Sequence, residues 1–343
     1  MKKILSLVLI AMLLMSGAFA ESALRVGLMP SAVGAPVQLA LESGYFTDEG
    51  LDIEMVIFAN GAAINEAMMA GELDVACSGA ATVFALASGM VTLIGDSEMS
   101  GGMGIWVKPD SDILTVKGQV EKYPEMYGSA DTIKGKTIFC SLGTASQFNV
   151  LRYLEQFGLT DQDITLVNMD WSSAVQAFLT DEVDAIATFA PYSNQAEAGG
   201  GVKICTFEDA TETALYDMIF ARNEVIEERR DDVVKFLRAY YHATEDFIND
   251  EAMRAEWCMK WFASEGRTYD DETMAQEIKD RPYPSIEFML SEDYILGEAM
   301  YDYAAFNVGI GKIEDWQMDA METCYDASLI SEAIGGTVRQ PEF

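Results

Sequence analysis

The feature that most constrains how this chain folds is an alternation of short strand-like and helix-like segments, run through twice. In the first series residues 23–28 read as a strand and 35–43 as a helix stopped by Gly44. A strand at 51–58 and a helix at 60–70, with Asn60 as its N-cap, come next. A strand at 73–77, a helix at 82–88 closed by Gly89, and a strand at 91–95 complete it. The second series holds strand 137–141, helix 145–157 with Gly158 as its stop, strand 164–168, helix 172–179 and strand 185–189. Short strands separated by helix-length segments are the mark of βαβ units and predict a parallel sheet in each series. Between the series lie a glycine-rich stretch, 101–104, a strand at 105–107 and a polar segment, 108–136. A second connecting strand, 218–221, leads into an amphipathic helix, 231–248, and residues 251–334 read as helices. The chain is thus expected to cross twice between two lobes and to leave a cleft between them. The division expected is 21–101 with 222–343 for one lobe and 102–221 for the other.

Composition excludes several functions. With 56 Asp and Glu against 22 Lys and Arg, the formal charge is −34, and phosphate backbones are bound by clustered basic side chains. Nucleic acid and anionic membrane surfaces are therefore poor partners. A single histidine, His242, argues against most zinc enzymes and imidazole acid–base chemistry; it sits in a helical run and reads as an ordinary helix residue. Five cysteines without a CxxC motif suggest neither metal nor redox work. Cys77, Cys140 and Cys205 end strand-like runs as small buried thiols; Cys258 and Cys324 could pair, but nothing in the sequence brings them together.

The N-terminus reads as an export signal. Lys2 and Lys3 precede an apolar run from Ile4 to Met15, and Ala18-Phe19-Ala20 offers small residues for cleavage after residue 20. The run is shorter than the ~20 residues of a spanning helix, and no cysteine at the cleavage site suggests a lipid anchor. Periplasmic location follows as the expectation.

Parallel α/β sheets bind ligands where loops leave the C-terminal ends of their strands. The loops to inspect are 29–34, 78–82, 141–146, 170–172 and 188–192. The turn through Gly143, Thr144, Ala145 and Ser146 is the most suggestive, because a glycine admits close approach and the following helix N-terminus favours an anion or polar oxygen; a plain helix cap is the alternative. Trp171, Phe189 and Tyr192 offer either a ring wall for a flat ligand or core packing. These loops contain Asp170 but no Lys or Arg, and Asp217 introduces the second crossing strand. That disfavours a bare inorganic anion, and the remaining acids read as a solvated exterior on helices outside the cleft. Walker, Gly-x-Ser-x-Gly and EF-hand patterns are absent.

The runs Leu24-Arg25-Val26-Gly27-Leu28-Met29-Pro30, Glu42-Ser43-Gly44-Tyr45-Phe46 and Gly71-Glu72-Leu73-Asp74-Val75, followed by Ile133-Lys134-Gly135-Lys136, Val183-Asp184-Ala185 and Ala190-Pro191-Tyr192, resemble the nitrate, sulfonate, taurine and thiamine-pyrimidine substrate-binding proteins of ABC importers. The resemblance implies a two-lobed type II periplasmic-binding fold, each lobe a sheet flanked by helices, with a helical C-terminal region. It also implies a monomer that closes over one small molecule and delivers it to a membrane permease, with no cofactor and no metal. Ligand positions carried over from the family are Pro30, Ser31 and Ala32; Ser78, Gly79, Ala80, Ala81 and Thr82; Gly102 and Met103; Gly143 to Ser146; Asp170 and Trp171; and Phe189, Ala190, Pro191 and Tyr192. Asp217 joins them. Residues 114–129 look like an insertion. The expected ligand is a sulfonate-like organic acid at the Gly143–Ser146 turn or an aromatic or heterocyclic compound near Trp171. Thi5-type pyrimidine synthases share the ancestry, but they look like cytosolic enzymes with a cysteine-rich signature and an essential histidine. A binding protein that feeds a sensor is a further alternative.

Overall fold

A computed structural model of the chain describes residues 22–190, 192–266 and 268–343. The expected leader, 1–20, and Pro191 lie outside them. Ten strands form two five-stranded sheets. The strands are β1 (Leu24–Leu28), β2 (Ile53–Ile57), β3 (Val75–Ser78), β4 (Val91–Met99), β5 (Gly104–Val107), β6 (Thr137–Cys140), β7 (Thr165–Asn168), β8 (Ala185–Thr188), β9 (Val202–Thr206) and β10 (Tyr216–Arg222). The first sheet runs β2-β1-β3-β10-β4 and the second β7-β6-β8-β5-β9.

Both sheets are mixed rather than wholly parallel, and the crossings explain why. β4 ends at the cleft, so the chain enters the second lobe from the cleft side and β5 runs antiparallel to β8 and β9. On the return β10 enters the first sheet in the same way, antiparallel to β3 and β4. Residues 216–221, assigned from the sequence to the second lobe, therefore belong to the first sheet, and the chain has already returned before Tyr216. The 108–136 segment packs against the second lobe: Met126 is buried, and Tyr127 donates its N–H to the Ile204 carbonyl at 3.0 Å.

Strand alternation builds the cores. Ile105, Val107, Ala185 and Ala187 face one layer of the second lobe, whereas Trp106 and Ile186 face the other with Val175 and Phe178. The first lobe owns the larger core, to which the C-terminal helices contribute Phe236, Tyr240, Tyr241, Trp261 and Leu329. Helix ends follow their sequence signals: Asn60 accepts the Ala63 N–H at 3.1 Å, and Gly44 and Gly158 adopt positive φ of 84° and 68°. The helix expected at 231–248 spans Asn223–Asn249, with non-helical angles at Arg229 inside it. All five cysteines are buried free thiols.

Candidate functional site

A cavity of about 1040 Å³ opens at the C-terminal ends of the parallel strands of both sheets. The first lobe lines it with Pro30 and Ser31 after β1 and Ser78, Gly79, Ala80 and Ala81 after β3, and Met103 joins them from the crossing. The second contributes Gly143, Thr144, Ala145 and Ser146 after β6, Trp171 after β7, and Phe189, Ala190 and Tyr192 after β8. Asp217, on β10, completes the residues foreseen from the sequence that reach it.

Four others stand behind the wall. Ala32 is buried in a 3-10 turn and its carbonyl accepts the Tyr283 hydroxyl at 2.9 Å. Thr82 is buried at a helix start, Gly102 packs against Asp280 and Ala190, and Asp170 caps the Trp171–Leu179 helix by accepting the Ser173 N–H at 3.0 Å. Pro191 lies outside the described residues. His242 is exposed on its helix, stacked on Tyr45 with ring centroids 4.2 Å apart.

The second-lobe wall is organised around one helix N-terminus and three rings. Gly143 takes φ of 71° and its N–H donates to Gln147 Oε1 at 2.6 Å. Thr144 caps the Ala145–Gln156 helix through the Ser146 N–H at 3.2 Å. The Trp171 indole N–H donates to Ser146 Oγ at 3.3 Å, which fixes the ring beside that turn. Trp171 meets Phe189 edge-on at 4.7 Å and lies roughly parallel to Tyr192 at 6.4 Å, while Phe189 and Tyr192 are edge-on at 5.9 Å.

The opposite floor is charged, and much of it comes from helices that sequence reading had set aside. Arg281, at the end of the Asp271–Asp280 helix, places Nη2 2.6 Å from Asp217 and 3.2 Å from Glu98; its Nε is 3.8 Å from Glu277. Asp217 also accepts the Ser100 hydroxyl. Burial pushes the Glu98 carboxyl up to about 7, with Asp217 adding to the rise and Arg281 opposing it; burial raises Glu277 as well. The acids hold the Arg281 guanidinium protonated against its own burial.

Two readings change accordingly. The cleft does contain a guanidinium, although the strand-end loops carry none, and not all the acids are solvated exterior. Phe262, Tyr269, Thr273, Glu277, Arg281 and Tyr303 also line the cavity and were missed, because helix-period sequence beyond residue 250 gives no sign that it folds back over the cleft. Asp270 and Asp271 read as helix N-terminal charges; Asp270 caps its helix through the Thr273 N–H at 2.8 Å and lines the cavity too. Among the described residues no group of three or more His, Cys, Asp or Glu is placed to hold a metal ion, and no helix is long and apolar enough to cross a membrane.

A family model described as NMT1/THI5-like matches residues 32–252. A relative named as an ABC transporter periplasmic binding protein, from Brachyspira hyodysenteriae, is 32% identical and the alignment covers 97% of this chain and 98% of the relative. A relative named as an aliphatic sulfonates-binding protein, from Bacillus subtilis, is 27% identical over 71% of this chain and 73% of its own length. Among solved structures, a periplasmic sulfonate-binding protein from Methylobacillus flagellatus shares the fold, with a TM-score of 0.72 at 18% identity, covering 94% of this chain and 98% of that one.

Proposed function

This chain belongs to the NMT1/THI5-like family of periplasmic solute-binding proteins of ABC importers, and on that premise we propose that it captures a small aromatic or heterocyclic compound in the interlobe cavity. It acts as a monomeric, exported, non-enzymatic receptor that hands its ligand to a membrane permease. The observation that carries the ligand class is the trio Trp171, Phe189 and Tyr192 on one wall of the cavity. Rigid rings already in contact with one another offer an apolar wall, with the Trp171 and Tyr192 faces roughly parallel, at little entropic cost. Ligand capture couples to hinge closure through contacts made only when the lobes meet.

A sulfonate-like organic acid is the second reading, supported by the capped helix N-terminus at Thr144 to Ser146 and by the relative named for sulfonates. The ligand released from denatured protein, purified without additions, is identified by mass spectrometry and returned to variants by calorimetry. Trp171→Ala is expected to weaken binding about fivefold, in line with the ~1 kcal/mol of an aromatic contact. Ala145→Pro removes an N–H at the first helical position, where proline is tolerated, leaves the Ser146 hydroxyl that holds Trp171 in place, and is expected to matter less. The reverse ranking would establish the acid reading in place of the ring-wall one. Turnover of the released compound would show an enzyme instead.

A further inference from the structure

Around Arg281, which lines the cavity, acids outnumber the one guanidinium they share. Asp217, Glu98 and Glu277 all approach Arg281 within 4 Å. Arg281 Nη2 is shared between the first two. Glu277 lines the cavity and is only 9% exposed, yet no described residue donates a hydrogen bond to its carboxylate, and its contact with Arg281 Nε is the long one at 3.8 Å. The neighbouring buried guanidinium, Arg254, donates to the Arg281 carbonyl and lies over the Tyr283 ring at 4.5 Å; its charge acts on Glu277 through space and opposes the rise that burial causes, but it donates no hydrogen bond to that carboxylate.

A carboxylate withdrawn from water without a full partner is costly, and the cost is relieved when a cation completes the set. The same cavity carries three aromatic rings, whose faces attract cations by their quadrupoles. Among the described residues that line the cavity, an anionic ligand would meet Asp217, Glu277 and an Arg281 already held by acids. We propose that the ligand of this cavity bears a protonated amine or amidine, which pairs with Glu277 while the body of the ligand lies against Trp171, Phe189 and Tyr192. The inference rests on the reading of the cavity as the solute site and adds to it the charge of the solute.

Three probes with one ring and different charge separate the possibilities: benzylamine, benzyl alcohol and benzoate, titrated calorimetrically into the ligand-stripped protein. The wild type is expected to bind benzylamine about tenfold more tightly than benzyl alcohol, with benzoate weakest. Glu277→Gln, close in shape and uncharged, is expected to bring benzylamine down to the affinity of the alcohol; its unfolding midpoint without ligand reports whether it has folded. The wild-type ranking tests the proposal independently of that variant. Benzoate binding as tightly as benzylamine, a preference for the amine that survives Glu277→Gln, or no benzylamine binding at millimolar concentration would each overturn it. If benzoate leads and Trp171→Ala weakens all three probes, only the charge assignment fails and the cavity reading stands. If Trp171→Ala changes none of them, the ring-wall reading fails as well.

Discussion

Gly101, where β4 gives way to the crossing into the second lobe, lies against the Asp271–Asp280 helix end. A Cβ built there would sit 1.6 Å from the Asp280 carbonyl oxygen, a backbone atom that cannot rotate away. Gly102 beside it takes φ of 69°, a region that other residues enter only with strain. Met99 donates its N–H to the Pro282 carbonyl at 2.8 Å, and Ser100 to the Leu215 carbonyl at 2.6 Å, so the crossing is held on both sides. Gly101→Ala is accordingly expected to lower unfolding free energy by roughly 2 kcal/mol, the scale of overpacking in a tight site, read as a shift of the urea midpoint. An unchanged midpoint would mean that the crossing yields easily. The glycine run was visible in the sequence; the helix end that demands it was not, because that helix lies about 170 residues further along the chain.

At the level of the element, β4 departs most from its sequence reading. The sequence places this strand at 91–95. It continues to Met99, with Asp96, Ser97 and Glu98 at 0% exposure. Their partners come from the C-terminal helices and turns: Asp96 accepts the Tyr294 hydroxyl at 2.8 Å and the Gly297 N–H at 3.0 Å, and Ser97 bonds Glu98 and Tyr240. Burial pushes Asp96 up to about 6 and Glu98 to about 7. Both lie above the ordinary carboxyl values expected in the unfolded chain, so the folded state binds more protons between about pH 4 and pH 7. The stability from these groups is present in full below their unfolded pKa values and is lost as pH rises through 6 and 7. Asp74, held low by its hydrogen bonds to Arg25 and Arg222 against burial, is ionised in both states above pH 5 and adds no slope there. Chemical denaturation is therefore expected to show stability rising from pH 8 to pH 5 by on the order of 4 kcal/mol. Asp96→Asn with Glu98→Gln should flatten that rise. A profile that is flat, or falls toward pH 5, would contradict the burial argument.

For the molecule as a whole, the two lobes touch beside the cavity, where Tyr303 and Gly143 line it. Phe148 of the second lobe packs against Tyr303 and Phe306 of the Ala299–Gly309 helix, with centroids 5.6 and 5.1 Å away. Lys312 donates to the Gly143 carbonyl at 2.9 Å, and Arg152 reaches Asp302 at 3.8 Å. The ring contacts outweigh the two exposed polar ones, which solvent screens. Phe148→Ala is expected to loosen this contact, raising the radius of gyration in solution scattering, whereas Lys312→Ala is expected to change it little. Identical scattering from wild type and Phe148→Ala would place the closing interaction elsewhere.

The sequence by itself determined the two α/β series, most strand positions, the helix stops and the loops that meet in the cavity. These depend on local rules: apolar alternation, N-caps such as Asn60, and glycines at positive φ. Tertiary structure alone decided that each sheet takes one antiparallel strand from the crossing chain, that Asp96 and Glu98 are interior, and that Glu277 and Arg281 form the cavity floor. Each of these joins segments distant in sequence. Burial and charge pairing belong to the assembled neighbours of a residue, and a helix reads the same whether it faces water or closes a site.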